Sequence, residues 1–234
     1  MYVFSARIGY SQLDANERLS PAALLDLFQD ACSLYHEDIG SGLSWQAKQG
    51  VTWVVNRWRI SLLQPLPRIG ETVTVETWPY ERTLALFRRG FLLKNADGVL
   101  LATGDSLWTL CDRHSFRPVP SAAAQLGIPM EQHPALLQEL PAKPSVPAEQ
   151  TVLPVFPVNR TLLDPNHHVN NVRSLALCMD FLPEDFLFSA FLADYRRELP
   201  SGALVTPKFS RTDGGWTVSL CVEDHPCVNI EFLR

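Results

Sequence analysis

The sequence lacks three features that would assign it to a common class at once: an excess of positive charge, a long apolar run and a paired set of cysteines. Its 234 residues carry a formal net charge of -5 at pH 7, which gives no broad attraction for nucleic acid or an anionic membrane. No apolar run reaches membrane-spanning length, and the first residues, from Met1 to Arg7, show no signal-peptide pattern. We therefore expect a cytoplasmic protein that binds neither nucleic acid nor membrane.

Cysteine is scarce and lacks the spacing of a metal site or a disulfide framework. The 5 cysteines are odd in number and are scattered along the chain: Cys32, Cys111, Cys178, Cys221 and Cys227. We expect most of them to be reduced residues of the core.

The first half of the chain has the pattern of one strand, one long helix and about four further strands. Apolar residues alternate from Tyr2 to Tyr10, as in a strand with one buried face. Ser20-Pro21 is typical of a helix start, and helical spacing then continues to about Gly40. Residues rich in β-branched and aromatic side chains predict strands at 51–63, 72–78, 84–94 and 99–111, with a hairpin turn at 95–98.

A proline-rich stretch separates this half from the next. Six prolines occur at positions 129, 134, 141, 144, 147 and 154, where they interrupt any helix or strand. We therefore predict a domain at 1–128, a connector at 129–154 and a second domain at 155–234.

The second half repeats the order of the first. The pattern predicts a strand near Val155, a helix at 170–182 stopped by Pro183, and strands at 186–198, 203–210, 216–222 and 228–233. Leu-Asp-x-Asn stands before each helix, at 13–16 and at 163–166, so a duplication is indicated. The predicted fold class is α+β, with an antiparallel sheet wrapped around a long helix in each half. The two halves are expected to form a pseudo-dimer with a continuous sheet and a functional site between them.

The densest polar cluster of the chain runs from Asp164 to Asn171 and leads into the second helix. Backbone N–H groups at a helix start can hold a developing oxyanion, His168 can exchange protons near neutral pH, and Asn166 can orient water or donate to a carbonyl oxygen. Asp164 can hold the histidine tautomer or the loop. The same residues could instead form turns and a helix cap, and the local pattern leaves both interpretations open. A metal site is disfavoured, since no other histidine or cysteine stands at ligand spacing.

Two segments resemble the acyl-acyl carrier protein thioesterases of plants and bacteria. Asp164-x-Asn166-x-His168-Val169-Asn170-Asn171-Val172 is similar to that family's signature, and Asp194-Tyr195-Arg196-Arg197-Glu198 resembles its Glu-Tyr-Arg-Arg-Glu-Cys segment. Val51 to Arg57, and Arg88-Arg89 followed by a strand with Trp108, are similar as well.

The resemblance implies a double hot-dog fold and hydrolysis of fatty acyl thioesters of acyl carrier protein, without cofactor or metal. Glu198 matches the family's catalytic glutamate, and Leu199 stands where the plant branch has cysteine, so water is the expected nucleophile. Either Glu198 or His168 takes the proton of the attacking water. Asn166 and an N–H near Val169 stabilise the oxyanion, and Asp164 supports the loop. Arg18 replaces His168 in the first copy, which should be catalytically silent.

The first half is then expected to hold the acyl chain. Candidate wall residues are Leu24, Phe28, Trp53, Val55 and Trp58, each of which could equally be plain core. Some arginines could contact the acidic carrier protein, although a solvated or ion-paired role explains each one alone: Arg57, Arg59, Arg68, Arg88, Arg89, Arg196 and Arg197.

The alternative functions are an acyl-coenzyme A hydrolase, a dehydratase of the same fold, and a non-catalytic acyl-chain binding module. Chain-length preference and a homodimer are left open.

Overall fold

The chain folds into two compact units. The computed structural model describes residues 1–131 and 143–234. One unit comprises Met1–Asn56 and Ile60–Pro141, and the other comprises Arg57–Arg59 and Ala142–Arg234. Much of the predicted connector at 129–154 lies outside the described residues, so the predicted domain limits remain a prediction. Thr151–Val152, inside that predicted connector, forms a short strand.

The described residues of the first unit form five strands and three helices, and the middle of its second strand, Arg57–Arg59, is grouped with the second unit. They are β1 (Tyr2–Arg7), α1 (Pro21–Asp38), α2 (Leu43–Gln49), β2 (Val51–Leu62), β3 (Thr72–Thr83), β4 (Leu86–Asn95), β5 (Leu100–Asp112) and α3 (Pro120–Gln125). Their sheet order is β1-β3-β4-β5-β2, and the β1–β3, β3–β4 and β4–β5 pairs are antiparallel.

Helix α1 begins as its sequence predicts and packs on the sheet of the first unit. The Ser20 hydroxyl accepts a hydrogen bond from Ala23 N–H at 3.1 Å, and Pro21 occupies the first turn, where no donor is lost. Phe28 stacks on Phe91 of β4 with 5.0 Å between ring centroids. A side chain at Gly104 of β5 would place Cβ only 2.7 Å from the Phe28 ring. Glycine at this position therefore lets α1 lie close to the sheet.

A buried ionic cluster lies on β3, β4 and β5. The Tyr80 hydroxyl donates to both carboxylate oxygens of Asp105 at 2.8 Å. Arg88 donates to Asp105 at 2.9 Å and to Glu81 at 3.1 Å. Asp105 is 2% exposed, and this burial raises its pKa although Tyr80 and Arg88 oppose the shift. A buried charge is costly unless it is paired, so loss of either Asp105 or Arg88 would leave the other as a destabilising buried charge.

The second unit has a smaller set of elements around a shorter helix. Its elements are β6 (Thr151–Val152), β7 (Phe156–Pro157), α4 (Asn171–Met179), β8 (Ala190–Tyr195), β9 (Leu204–Arg211), β10 (Gly215–Val222) and β11 (His225–Leu233). The order is β8-β11-β10-β9-β6, with β7 also paired to β9, and these pairs are antiparallel. Helix α4 packs on β10 and β11. The predicted α+β class, an antiparallel sheet with a helix in each half, is confirmed.

The second helix and the strand after it are shorter than predicted. Helix α4 ends at Met179 instead of residue 182, because the ring of Pro183 clashes with the carbonyl four residues earlier and disfavours a helical residue before it. Strand β8 ends at Tyr195, and the N–H groups of Arg196 and Arg197 both donate to the Cys227 carbonyl oxygen. The regular ladder therefore stops just before Glu198.

Candidate active site

The loop before α4 is a turn closed by its own backbone and by one carboxylate. Asp164 N–H donates to the His168 carbonyl oxygen at 2.9 Å, and His167 N–H donates to the Asp164 carbonyl oxygen at 2.9 Å. Asp164 Oδ1 accepts from Asn166 N–H at 2.8 Å. His167 has φ 66°, in the left-handed region that few non-glycine residues adopt. The Asp164 carboxylate therefore supports the shape of this loop.

The same turn stands before α1. Asp14 N–H donates to the Arg18 carbonyl oxygen at 2.7 Å, and Glu17 N–H donates to the Asp14 carbonyl oxygen at 3.1 Å. Asp14 Oδ1 accepts from Asn16 N–H at 2.9 Å, and Glu17 has φ 60°. Each of these bonds has its counterpart 150 residues later, since 164 minus 14 is 150, so the loop is duplicated in three dimensions.

A second contact extends the repeat beyond the helices. Leu19 N–H donates to the Pro67 carbonyl oxygen at 2.7 Å, and Val169 N–H donates to the Leu199 carbonyl oxygen at 3.0 Å. Because 199 minus 67 is 132, residues after the helices correspond with an offset of 132. The Val169 N–H is therefore already bonded, and the oxyanion donor expected near Val169 stays a prediction.

The structure brings His168 and Glu198 together. His168 Nε2 lies within hydrogen-bonding distance of Glu198 Oε2, and the two side chains are 24% and 40% exposed. His168 is placed by the turn before α4 and by a bridge to Pro200. Glu198 is placed by the irregular backbone after β8. A basic and an acidic side chain in contact, both reachable from solvent, form an arrangement suited to moving a proton.

The corresponding positions in the first unit carry no such pair. Arg18 occupies the position of His168, and position 66, which is 198 minus 132, is Leu66. The Arg18 guanidinium donates to the Leu66 carbonyl oxygen at 2.7 Å. An always-charged guanidinium facing a carbonyl group cannot exchange protons near neutral pH, so the first copy keeps the loop without the proton-transfer pair.

The side chain of Asn166 stays apart from the pair. Asn166 is exposed, and within residues 1–131 and 143–234 its side-chain amide has no hydrogen-bonding partner. This amide can therefore bind a ligand. The side chain of the next asparagine along the chain, Asn170, already forms a hydrogen bond. Asn170 Oδ1 accepts from Val172 N–H at 2.8 Å and caps α4, so the predicted helix-cap alternative is correct for this residue.

Tyr195 is a supporting residue whose contact was not predicted. Its hydroxyl donates to the Asn171 carbonyl oxygen at 3.0 Å, which ties the end of β8 to the start of α4. Burial raises the pKa of the Tyr195 phenol, so it stays protonated. Its neighbour Asp194 is held by Arg57 at 3.0 Å. These contacts position the chain that leads to Glu198.

The first unit contains a small cavity between α1 and the sheet. It is lined by Cys32, His36, Trp53, Pro79, Phe87, Arg89, Trp108 and Ile128. The space left inside is little larger than a water molecule. Of the five predicted wall residues, Trp53 lines this cavity. The others are buried core side chains: Leu24, Phe28, Val55 and Trp58.

Comparisons with known proteins assign the family. The model of the acyl-ACP thioesterase N-terminal domain matches residues 2–122, which is more than half of the chain. The chain belongs to the acyl-ACP thioesterase family. The resemblance seen in the sequence is therefore confirmed.

A curated relative is similar in sequence, and two solved structures share the fold. The chain is 23% identical over 222 residues to oleoyl-acyl carrier protein thioesterase 2 of Arabidopsis thaliana, covering 83% of this chain and 58% of the relative. It thus spans little more than half the length of that plant protein. An acyl-ACP thioesterase from Bacteroides thetaiotaomicron shares the fold, with TM-score 0.86, 17% identity and 99% and 96% of the two chains covered. The 12:0-ACP thioesterase of Umbellularia californica matches with TM-score 0.82, 20% identity and coverage of 99% and 96%.

The cysteines of this acyl-ACP thioesterase family member lie in its core. All five are free and buried, which confirms the expectation from their spacing. Burial raises the pKa of Cys178, so its thiol is not activated. Position 199, where the plant branch has cysteine, holds Leu199 at 2% exposure.

His36 in the cavity predicts an acid-sensitive fold. Burial, reinforced by Arg89, lowers the pKa of His36 from 6.5 to about 3. The unfolded chain protonates this imidazole below pH 6.5 and the folded chain does not, so the free energy of unfolding falls as the pH drops. Urea unfolding measures this effect. From pH 7 to pH 5 we expect the free energy of unfolding to fall by about 1–2 kcal/mol more for the wild type than for His36→Gln. Equal losses in the two proteins would show that His36 is not held neutral.

Across residues 1–131 and 143–234, no three His, Cys, Asp or Glu side chains are grouped so that they could hold a metal ion. In the same ranges, every helix is too short or too polar to cross a bilayer.

Proposed function

We propose that this chain is a thioesterase that hydrolyses fatty acyl-acyl carrier protein to free fatty acid and holo-acyl carrier protein. The observation that carries the proposal is the contact between His168 and Glu198 beside the duplicated loop. Membership of the acyl-ACP thioesterase family supports it, as do the names of the relatives. The predicted cytoplasmic location, and a site between the two halves, remain predictions.

The chemistry needs only water and this pair. A water oxygen attacks the thioester carbonyl carbon, and its proton passes to the His168–Glu198 pair. The carbon–sulfur bond then breaks with its electron pair going to sulfur, and the pair returns the proton to the thiolate. Because the two side chains share a hydrogen bond, a charge formed on either one is stabilised by the other. No cofactor is consumed.

Two further residues have roles in this proposal. Asn166 has an exposed amide that can donate to the carbonyl oxygen as negative charge develops there. Asp164 acts through the loop, since its carboxylate accepts from the Asn166 backbone N–H. In the first unit the Asp14 carboxylate accepts the counterpart bond from the Asn16 N–H, and this supports a positioning role because that copy keeps the bond without the pair.

The test of the function is thiol release from matched thioesters. Acyl carrier protein and coenzyme A thioesters of several acyl lengths are incubated with the wild type and with His168→Ala, and free thiol is measured with time. Faster release from carrier-protein thioesters supports the proposal, whereas a preference for coenzyme A supports the acyl-coenzyme A alternative. If the wild type binds acyl chains and releases no thiol, the protein is a binding module.

Recognition of the acidic carrier protein is expected to involve Arg197. This residue directly precedes Glu198, is exposed, and forms no ion pair with any residue in the described part of the chain. We expect Arg197→Glu to raise KM for the carrier-protein thioester about 10-fold and to leave kcat within about twofold. The control is the exposed Arg113→Glu, which should change neither constant. Equal KM values for wild type and Arg197→Glu would remove Arg197 from the docking surface.

A further inference from the structure

Two connections lie next to each other at one end of the sheet of the first unit. One is the β3–β4 turn at 84–85, and the other is the loop at 113–117, which follows β5. Leu110 N–H donates to the Ala85 carbonyl oxygen at 3.1 Å, and the Leu110 carbonyl oxygen accepts from Val119 N–H at 3.0 Å. Because one residue of β5 bonds to both segments, the turn and the loop are held together.

Each of these connections exposes large apolar side chains. Leu84 is 74% exposed in the turn, Leu86 is 40% exposed beside it, and Phe116 is 38% exposed in the loop. Leu84 has φ 55° and Phe116 has φ 53°, in the left-handed region that favours glycine and asparagine. The turn and the loop would therefore form more readily with smaller residues, so the backbone does not require these side chains.

Two exposed arginines flank the apolar side chains. Arg82 stands just before the turn, and Arg117 is the last residue of the loop. Among residues 1–131 and 143–234, neither of them forms an ion pair. The nearest acidic residues along the chain are already bonded, since Asp112 accepts from two N–H groups of its own loop and Glu81 pairs with an arginine of β4. Positive charge is therefore available at this end, although the net charge of the whole chain is -5.

We propose that this end of the first unit, formed by Arg82, Leu84, Leu86, Phe116 and Arg117, docks on the surface of an anionic lipid bilayer. Leucine and phenylalanine side chains gain free energy when they leave water for the boundary between headgroups and acyl chains. The arginine guanidinium groups then face lipid phosphates, which they can bind through two N–H groups each.

A bilayer suits this surface better than a folded protein does. The apolar side chains belong to two separate connections, and a soft bilayer interface adapts to them, whereas a protein partner needs a complementary shape for each. The inference does not depend on the proposed function, since docking needs no reaction. A thioesterase docked in this way would release its fatty acid beside the phase into which that product partitions.

The test is sedimentation of the full chain with lipid vesicles in the absence of any thioester. The vesicles contain either phosphatidylcholine alone or an equal mixture of phosphatidylcholine and the anionic phosphatidylglycerol. We expect the wild type to bind the mixed vesicles about 10-fold more tightly than phosphatidylcholine vesicles. Leu84→Gly should weaken binding to the mixed vesicles about 5- to 10-fold, and Arg117→Glu should weaken it about 10-fold.

Matched controls lie away from this end of the sheet. Val99 is 48% exposed beside the 95–98 turn, at the opposite end of β4, and Arg160 is exposed in the second unit. Val99→Ser and Arg160→Glu should both bind the mixed vesicles like the wild type. Glycine fits the left-handed backbone at position 84, so weaker binding of Leu84→Gly would not result from misfolding.

The inference is overturned if the wild type does not bind the mixed vesicles, or if Leu84→Gly binds them as tightly as the wild type. If vesicles are not bound and Leu84→Gly instead raises KM for the carrier-protein thioester, the surface docks the carrier protein and the bilayer proposal is wrong. Thiol release is measured separately for each variant. A wild type that binds vesicles and cuts no thioester would therefore refute the proposed function alone.

Discussion

Substitution of His168 by alanine is expected to lower kcat for thioester hydrolysis by about 10²- to 10⁴-fold, because the group that moves the proton is removed. Glu198→Ala is expected to have an effect of the same size, since Glu198 contacts His168 directly. The double variant should be little slower than either single variant, as residues that act as one unit have non-additive effects. Single-turnover thiol release, with folding checked by circular dichroism, measures all three.

The first copy supplies the matched control. Arg18 holds the same loop position as His168, and its guanidinium donates to a backbone carbonyl oxygen, whereas His168 contacts a carboxylate. Arg18→Gln should therefore retain kcat within about twofold. Additive losses in the double variant would show that His168 and Glu198 act independently, and full activity in either single variant would exclude that residue from the reaction.

Removal of the Asp105 carboxylate is expected to lower the free energy of unfolding by about 3–5 kcal/mol, because Arg88 would remain buried without its inner partner. Tyr80 would lose its acceptor in the same variant. Asp105→Ala and Asp105→Asn are compared by urea unfolding. Asp105→Asn should lie between Asp105→Ala and the wild type, since an amide oxygen still accepts from Tyr80.

A second ion pair of β3 and β4 provides the comparison. Lys94 Nζ lies 2.7 Å from Glu76 Oε1, with the two side chains 29% and 15% exposed. Glu76→Ala should lower the free energy of unfolding by about 1 kcal/mol or less, as expected for a partly solvated ion pair. If Asp105→Ala and Glu76→Ala lowered the free energy of unfolding by the same small amount, burial of the Asp105 cluster would not matter for stability.

Much of the fold could be predicted because local pattern and tertiary packing agree. The start of α1 follows from Ser20-Pro21, and the 95–98 hairpin turn follows from its sequence, with Gly98 at φ +81° and its N–H bonded to the Asn95 carbonyl oxygen. Helix α2 was not predicted, since seven residues between Gly42 and Gly50 are too few to show a period.

The site was predictable in part, for a different reason. Asp164 and His168 stand in one dense polar string, so composition alone drew attention to them. Glu198 came from the family resemblance, because nothing in its own surroundings marks it and only the fold brings it to His168. The buried Arg89 has a visible sequence signal, since it shares a strand face with Phe87 and Phe91 and interrupts an apolar series.

Shape and reactivity are separable in the duplicated turn. The turn closes through backbone bonds and an aspartate in both copies, so an arginine or a histidine can follow it without altering its path. Two substitutions can therefore change the chemistry of one copy while its fold is preserved. They fall at positions 18 and 66 in the first copy and at 168 and 198 in the second. One copy can then lose the histidine–glutamate pair while its twin keeps it, and the turn has the same shape in both.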